Sequence, residues 1–229
     1  MSESVSCIIP VFNGAETIER AINSAAWAGC DRILVYDDGS TDRTLDVLEK
    51  LGKLYSSLEV YADLSLYMHR GVNYARNLLC EKAKGGLIIP LDSDDELINI
   101  SHLREAWQPE TWVYGDYQIV YSKGGGDIIK GCPAGMLSRK ELTGITFMYH
   151  FDDWKRVGGY DLEFAYAEDF GLQCALTHAG IKPTYIDKLV YNRHMKASGN
   201  ERSVLASQYW QHYRDMARRK YPALFAVNR

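Results

Sequence analysis

The chain has 229 residues, 46% of them hydrophobic and 24% charged, with a formal net charge of −4. That is length for one large domain or two small ones and enough apolar content to bury a core, which excludes a disordered segment. The charge is too mild by itself to call for a nucleic-acid or acidic partner, and no run approaches the ~20 apolar residues of a membrane span.

Met1-Ser2-Glu3-Ser4 has neither a basic start nor a long apolar core, so no secretory signal is expected. Val5 to Phe12 reads as a buried strand ended by Pro10 and Asn13-Gly14. Ile18, Ala21, Ile22 and Ala25 then recur at helical spacing. Arg32 to Tyr36 is a second strand closing on Asp37-Asp38-Gly39-Ser40-Thr41, where Ser40 or Thr41 is the expected cap of a helix carrying Leu45, Leu48 and Leu51. Leu58 to Ala62 is a third strand, followed by a helix with Val72, Ala75, Leu78 and Leu79 inward. Gly85-Gly86 breaks that helix, and Leu87 to Leu91 is a fourth strand, whose Pro90 counts against a fully central position.

Beyond residue 100 the alternation weakens. Trp112 to Tyr121 reads as an aromatic-rich strand, turned at Lys123–Asp127 onto Ile128-Ile129-Lys130 as a hairpin partner. Glu168 to His178 reads as a helix ended by Gly180, Thr184 to Tyr191 as a strand, and Glu201 to Lys220 as a C-terminal helix. With no repeat and no linker, the halves read as one continuous domain. Strand–helix alternation predicts an α/β fold: a mostly parallel sheet with helices on both faces. Ligands of such sheets bind beyond the carboxyl ends of the strands, and Asn13, Asp37-Asp38 and Asp92–Asp95 all fall there.

The most telling segment is Asp92-Ser93-Asp94-Asp95-Glu96, behind the apolar strand Leu87–Leu91. So much negative charge at a buried strand end is costly without a positive partner. In an extended chain Asp92 and Asp94 point to one side, ~7 Å apart. One of them then suits a hard divalent cation and the other a substrate hydroxyl. Charge is also uneven along the chain. Arg193 to Arg229 holds eight Lys/Arg against Glu201 and Asp215, leaving −10 on the rest. The basic tail suits a phosphate, a phospholipid headgroup or a polynucleotide, or is simply a solvated helix with its dipole complemented. Five scattered cysteines with no C-x-x-C pair predict reduced, mostly buried thiols and a cytoplasmic setting, at most peripheral to a membrane through the basic C-terminus.

Read together, Ile8-Ile9-Pro10-Val11-Phe12-Asn13, Asp37-Asp38-Gly39-Ser40-Thr41-Asp42, Gly71-Val72-Asn73-Tyr74-Ala75-Arg76-Asn77, Leu91-Asp92-Ser93-Asp94-Asp95-Glu96 and Val157-Gly158-Gly159-Tyr160-Asp161 before Ala167-Glu168-Asp169 resemble the family 2 glycosyltransferases of the GT-A fold. The resemblance runs from about residue 4 to residue 198. It implies a Rossmann-like nucleotide-sugar-binding half over about 1–100, an acceptor-side half over about 101–198, and a basic C-terminal helix over about 199–229. It also implies a nucleotide-sugar donor, usually a UDP-sugar, with Mn2+ or Mg2+, and inversion at the anomeric carbon.

Residue by residue, the resemblance implies that Pro10, Phe12 and Asn13 line the nucleotide pocket, Phe12 standing where Tyr is common. Asp37, or Asp38 in its place, accepts from the base, and Arg76 lies beside the base or the diphosphate. Asp92, next to Ser93, reaches the ribose, and Asp94 binds the metal, with Asp92 as its D-x-D companion. Asp169 is the general base and Glu168 orients an acceptor hydroxyl. His194 completes the metal site or touches the diphosphate, with Arg193 and Lys196 as alternatives for the phosphate. Trp154, with Tyr149 and His150, falls on the acceptor side. The absence of Gln-x-x-Arg-Trp after Asp169 favours transfer of one sugar per encounter. The acceptor stays open: a saccharide, a lipid-linked saccharide, or an anionic polymer such as a modified nucleic acid. A nucleotidyltransferase of the same sheet topology normally carries a Gly-rich basic signature near the first strand, which this chain lacks. A catalytically silent nucleotide-sugar-binding module is the non-enzyme alternative, against which Asp92, Asp94 and Asp169 all argue.

Overall fold

The structure, a computed structural model, describes residues 3–62, 69–122, 124–133, 137, 144–195 and 201–226, with side chains from 208 onward in the last of these. Four strands, β1 (Val5–Val11), β2 (Arg32–Asp37), β3 (Leu58–Ala62) and β4 (Leu87–Pro90), pair in parallel. A two-residue antiparallel strand, β8 (Tyr149–His150), completes the sheet in the order β3-β2-β1-β4-β8. The pleat sorts side chains cleanly. Cys7, Ile9, Ile33, Val35 and Ile89 pack with α1 (Ile18–Trp27) and α2 (Thr44–Gly52). Ile8, Leu34, Tyr36 and Ile88 pack on the other face with α3 (Val72–Ala83). Helices on both faces explain why these strands are near-continuous apolar runs rather than alternating ones.

A second sheet holds the later chain in the order β5-β9-β6-β7. Its members are β5 (Glu96–Leu97), β6 (Thr111–Tyr121), β7 (Gly126–Ile129) and β9 (Lys182–Met195). Between and around them lie α4 (Ser101–Ala106), α5 (Phe151–Arg156), α6 (Glu168–His178), α7 (Glu201–Lys220) and α8 (Pro222–Phe225). The hairpin at β6–β7, the α6 limits and the C-terminal helix agree with the sequence reading. No helix among the described residues is long and apolar enough to cross a membrane. The five cysteines form no disulfide, and Cys7, Cys30, Cys80 and Cys174 are buried. The basic tail is partly neutralised internally: Lys220 pairs with Asp161 and Glu163, and Arg218 with Asp215.

Two local expectations need correction. Pro90 lies in an inner strand, between β1 and β8. Leu87 and Leu91 donate to β1, so position 90 faces the β8 side, where the ladder has ended after Ile88; the missing donor costs nothing there. The α2 start is not capped by Ser40 or Thr41. Asp42 Oδ1 accepts from Thr44 N at 2.9 Å, while Ser40 Oγ accepts from Asn13 N and ties the loop to β1 instead.

Gly86 opens β4 at φ 73, where a Cβ would meet the Ser4 carbonyl oxygen. Gly86→Ala is expected to cost about 1–3 kcal/mol in urea unfolding; stability equal to that of the unsubstituted chain would refute this account of how β4 enters the sheet.

Candidate active site

In the order β3-β2-β1-β4 the chain reverses direction between β1 and β4, and the crevice beyond such a reversal is where open α/β sheets take ligands. Phe12 and Asn13 leave β1 on one side of it and Asp92 leaves β4 on the other. Pro10 lies inside β1, fully covered. Phe12 is 44% exposed, with its ring 4.4 Å from that of His69. Asn13 adopts φ 52 and turns its side chain onto the neighbouring loop, accepting from Thr41 N at 2.8 Å and Asp42 N at 3.3 Å. It braces the crevice wall rather than facing into it.

The two acids after β2 divide their work. Asp38 accepts from Arg70 N at 2.9 Å, Gly71 N at 2.8 Å and His69 Nδ1 at 2.8 Å, so it anchors the chain entering α3. Asp37 Oδ1 accepts from Gly39 N and Ser40 N, while its buried Oδ2 has no partner among the described residues. Of the pair, Asp37 is the one with an acceptor to offer.

The acidic segment is not extended. Asp95 N donates to Asp92 O at 3.1 Å and closes a turn, which corrects the ~7 Å separation expected of an extended strand. Ser93 lies against Gly14. One carboxylate oxygen from each of Asp92, Asp94 and Asp95 lies within 4.8 Å of the others. Burial, then the charge of Asp92, raises the Asp94 carboxyl above its ordinary range, against weaker opposing pulls from Arg193 and Arg20. Burial, then Asp92 and Asp94, raises Asp95 much further. Asp95 is the third member that D-x-D reasoning passes over; its signal was the strand-end position of the whole segment. His194 donates its backbone N to Asp95 at 2.8 Å, but its ring is not in the trio: Nε2 lies 2.5 Å from Glu96 Oε2. Arg193 stays charged beside Asp95 and Asp92, its pKa raised despite burial. Lys196 lies outside the described residues.

Arg76 is the largest correction. Rather than lying beside a base or diphosphate, it is completely buried. Its Nη2 donates to Asp92 Oδ1 at 3.0 Å; its Nη1 donates to Asp169 Oδ1 at 2.8 Å and Glu168 Oε1 at 3.0 Å. The guanidinium also lies over the Tyr160 ring. Burial opposes its charge, but Asp169, Glu168 and Asp92 more than restore it. The buried face of α3 runs Asn73, Arg76, Cys80, Ala83 at helical spacing, and an arginine on such a face demands buried acids. Asn73 and Asn77 on the same helix hold the 160–164 loop by its backbone and so deliver α6 to Arg76. Of the two acids at the α6 start, Asp169 has 18% of its side chain exposed against 7% for Glu168. Trp154 is a core residue, 6% exposed and packed against Phe151, so its ring is not offered to an acceptor. Tyr149 is likewise buried, bonded to Tyr160, and His150 stacks on Trp107.

The fold is shared with solved structures of modest identity. S. aureus TarS 1–349 in complex with UDP superposes with a TM-score of 0.64 at 22% identity, over 84% of this chain and 60% of that one. The mannosyltransferase PcManGT of Pyrobaculum calidifontis, in complex with GDP-Man and Mn2+, does so with a TM-score of 0.64 at 16% identity, over 83% and 56%. By architecture the chain is therefore an α/β protein of the GT-A fold. Residues 6–115 match the family Glycosyl transferase family 2. Over 222 residues it is 28% identical to chondroitin synthase of Pasteurella multocida (strain Pm70), spanning 91% of this chain but 22% of that protein.

Arg76→Met leaves three clustered carboxylates without their shared cation and is expected to cost about 3–5 kcal/mol in urea unfolding. Arg76→Lys should recover only part of this, since one ammonium cannot reproduce the fork. Asp94 and Asp95 hold their protons more tightly in the fold than in the unfolded chain. Between the ordinary carboxylate pKa of ~4 and the raised values, stability therefore falls as pH rises. Asp95→Asn is accordingly expected to melt above the unsubstituted, metal-free chain at neutral pH, with the gap closing on acidification. Added Mn2+ should raise the melting temperature of the unsubstituted chain and not of Asp95→Asn; equal responses would remove Asp95 from the cation site.

Proposed function

We propose that this chain is a metal-dependent, inverting glycosyltransferase that moves one sugar per encounter from a nucleotide-sugar, a UDP-sugar, to an acceptor hydroxyl. The observation that carries this reading is the Arg76 bridge, which sets the acid turn after β4 and the carboxylate of Asp169 about one guanidinium apart. A group that can take a proton thus faces a group that can hold a cation across the crevice where the sheet changes direction.

The residues present fit a divalent ion. Three carboxylate oxygens converge within 4.8 Å, two of the carboxyls are raised by burial and mutual repulsion, and an all-oxygen set suits Mn2+ or Mg2+. Bound to Asp92, Asp94 and Asp95, the ion supplies charge compensation for a departing diphosphate.

The remaining steps belong to the chain. The exposed ring of Phe12 offers a face to the base, and Asp37 Oδ2 offers an acceptor to an imide N–H such as that of uracil. Asp38 fixes the wall of that pocket by holding residues 69–71. The acceptor oxygen attacks the anomeric carbon from the face opposite the diphosphate, one C–O bond forming as the other breaks. Its proton passes to Asp169. Arg76 holds that carboxylate aimed, and an ordinary carboxylate suffices because the hydroxyl becomes acidic only as the new bond forms. Glu168, more deeply placed, serves to position Arg76 and Asp169.

Asp169→Asn is expected to lower transfer by about 10²–10⁴-fold while UDP binds as before. Asp94→Ala should abolish Mn2+-dependent hydrolysis of the donor. Both are read by UDP release across a panel of UDP-sugars. Undiminished turnover in Asp169→Asn would sink the assignment of the base.

A further inference from the structure

Next to the acid turn, the outer face of α1 and the β5–β9 pair border a cleft of about 480 Å3. That volume lies within the usual range of small-molecule sites, ~300–1,000 Å3. Arg20, Asn23 and Trp27 recur along one face of α1 at helical spacing, with Glu19 beside them, and Glu96 and Asn192 face them from the strands. Trp27 is 81% exposed, whereas Trp112 and Trp154 are buried. A lone exposed indole is ordinary. This one stands at the rim of the cleft, beside two lining residues, Asn192 and Arg20, whose Oδ1 and Nε have no partner among the described residues. Asn23 and the Asn192 amide add polar groups on the two walls of the cleft.

We propose that this cleft is a subsite for an uncharged saccharide. An indole face suits the C–H face of a pyranose, and amide and carboxylate groups around it suit its hydroxyls. The charge of the lining selects against other ligands. Glu16 and Glu19 outnumber Arg20, whose Nη2 is already donated to the Asp94 carbonyl oxygen, while Glu96 is engaged by the His194 ring. A phosphate, nucleotide or uronate meets repulsion there, and a neutral or N-acetylated sugar does not. Arg20 and Glu96 also join the cleft to the cation-binding turn. On the transferase reading, on which this assignment rests, the occupant is the part of an acceptor glycan remote from the reacting hydroxyl.

The test uses the whole chain with chitotriose, cellotriose and a glucuronate-bearing trisaccharide as probes, and acrylamide quenching of tryptophan as readout. Chitotriose or cellotriose at millimolar concentration is expected to shield the exposed tryptophan, and the uronate trisaccharide to leave it accessible. By calorimetry, Trp27→Ala should weaken binding of the neutral trisaccharide at least tenfold, with Trp27→Phe retaining most of it; both changes fall on an exposed side chain and spare the core. Shielding by neither neutral probe, or an unchanged affinity in Trp27→Ala, overturns the proposal. Donor hydrolysis is measured on the same samples. Shielding without hydrolysis of any UDP-sugar removes the transferase reading and leaves the subsite standing, and hydrolysis without shielding does the reverse.

Discussion

Arg76 sits with no exposed surface between Asp92, at the end of one sheet strand, and Glu168 and Asp169, at the start of α6. Every distance across the site is referred to that one planar group. A guanidinium tolerates burial only when its donors are satisfied, and its fork fixes where the satisfying carboxylates lie. The constraint works in both directions. The acids keep the cation charged, and the cation keeps the acids at fixed separation. A lysine in its place would leave one charge with three partners and no geometry.

The rest of the electrostatics follows from what Arg76 does not reach. Its donors cover Asp92 and the α6 pair and do not extend to Asp94 or Asp95. Arg193 offsets the rise at Asp94 and Asp95 only in part, and Arg20, which acts on Asp94 alone, gives its Nη2 to the Asp94 backbone carbonyl. The fold therefore leaves an excess of negative charge at a single point, beside a crevice, in a turn held at both ends. Such a turn is costly in an empty protein, which sets it apart from a solvated acidic loop.

The first half of this arrangement was legible in the sequence because it is local. Strand ends carry Asn13, Asp37-Asp38 and Asp92–Asp95 to one edge, and the 2.0 and 3.6 periodicities expose the strands and helices that do so. The α6 limits, Glu168–His178, follow from an acidic start and a terminal glycine in the same way. What escaped is non-local. Nothing near Arg76 in sequence announces that its partners lie 16, 92 and 93 residues away. The turn at Asp92–Asp95 depends on a backbone bond from Asp95 N to Asp92 O and on His194 reaching back across nearly a hundred residues. His194 and Trp154 were plausible by residue type, but one gives its ring to Glu96 and the other to the core. For such residues chemistry is decided by packing, which the local pattern does not carry.

The family match ends at residue 115, yet the site does not. The first sheet with α3 supplies Asp37, Arg76 and the acid turn; α6 supplies Asp169; β9 supplies the backbone donor to Asp95. The two-residue strand β5 is the junction, since Glu96 and Leu97 pair with Asn192 and Tyr191 immediately after the turn closes. Removing the later chain would leave Arg76 with one of its three carboxylates and Asp95 without its donor, so the matched segment cannot hold its own acids in place. The two sheets are thus one unit in the sense that matters for function. The recognisable half carries Arg76 and the acid turn, and the less recognisable half carries Asp169, Glu168 and the backbone donor that give those residues their positions.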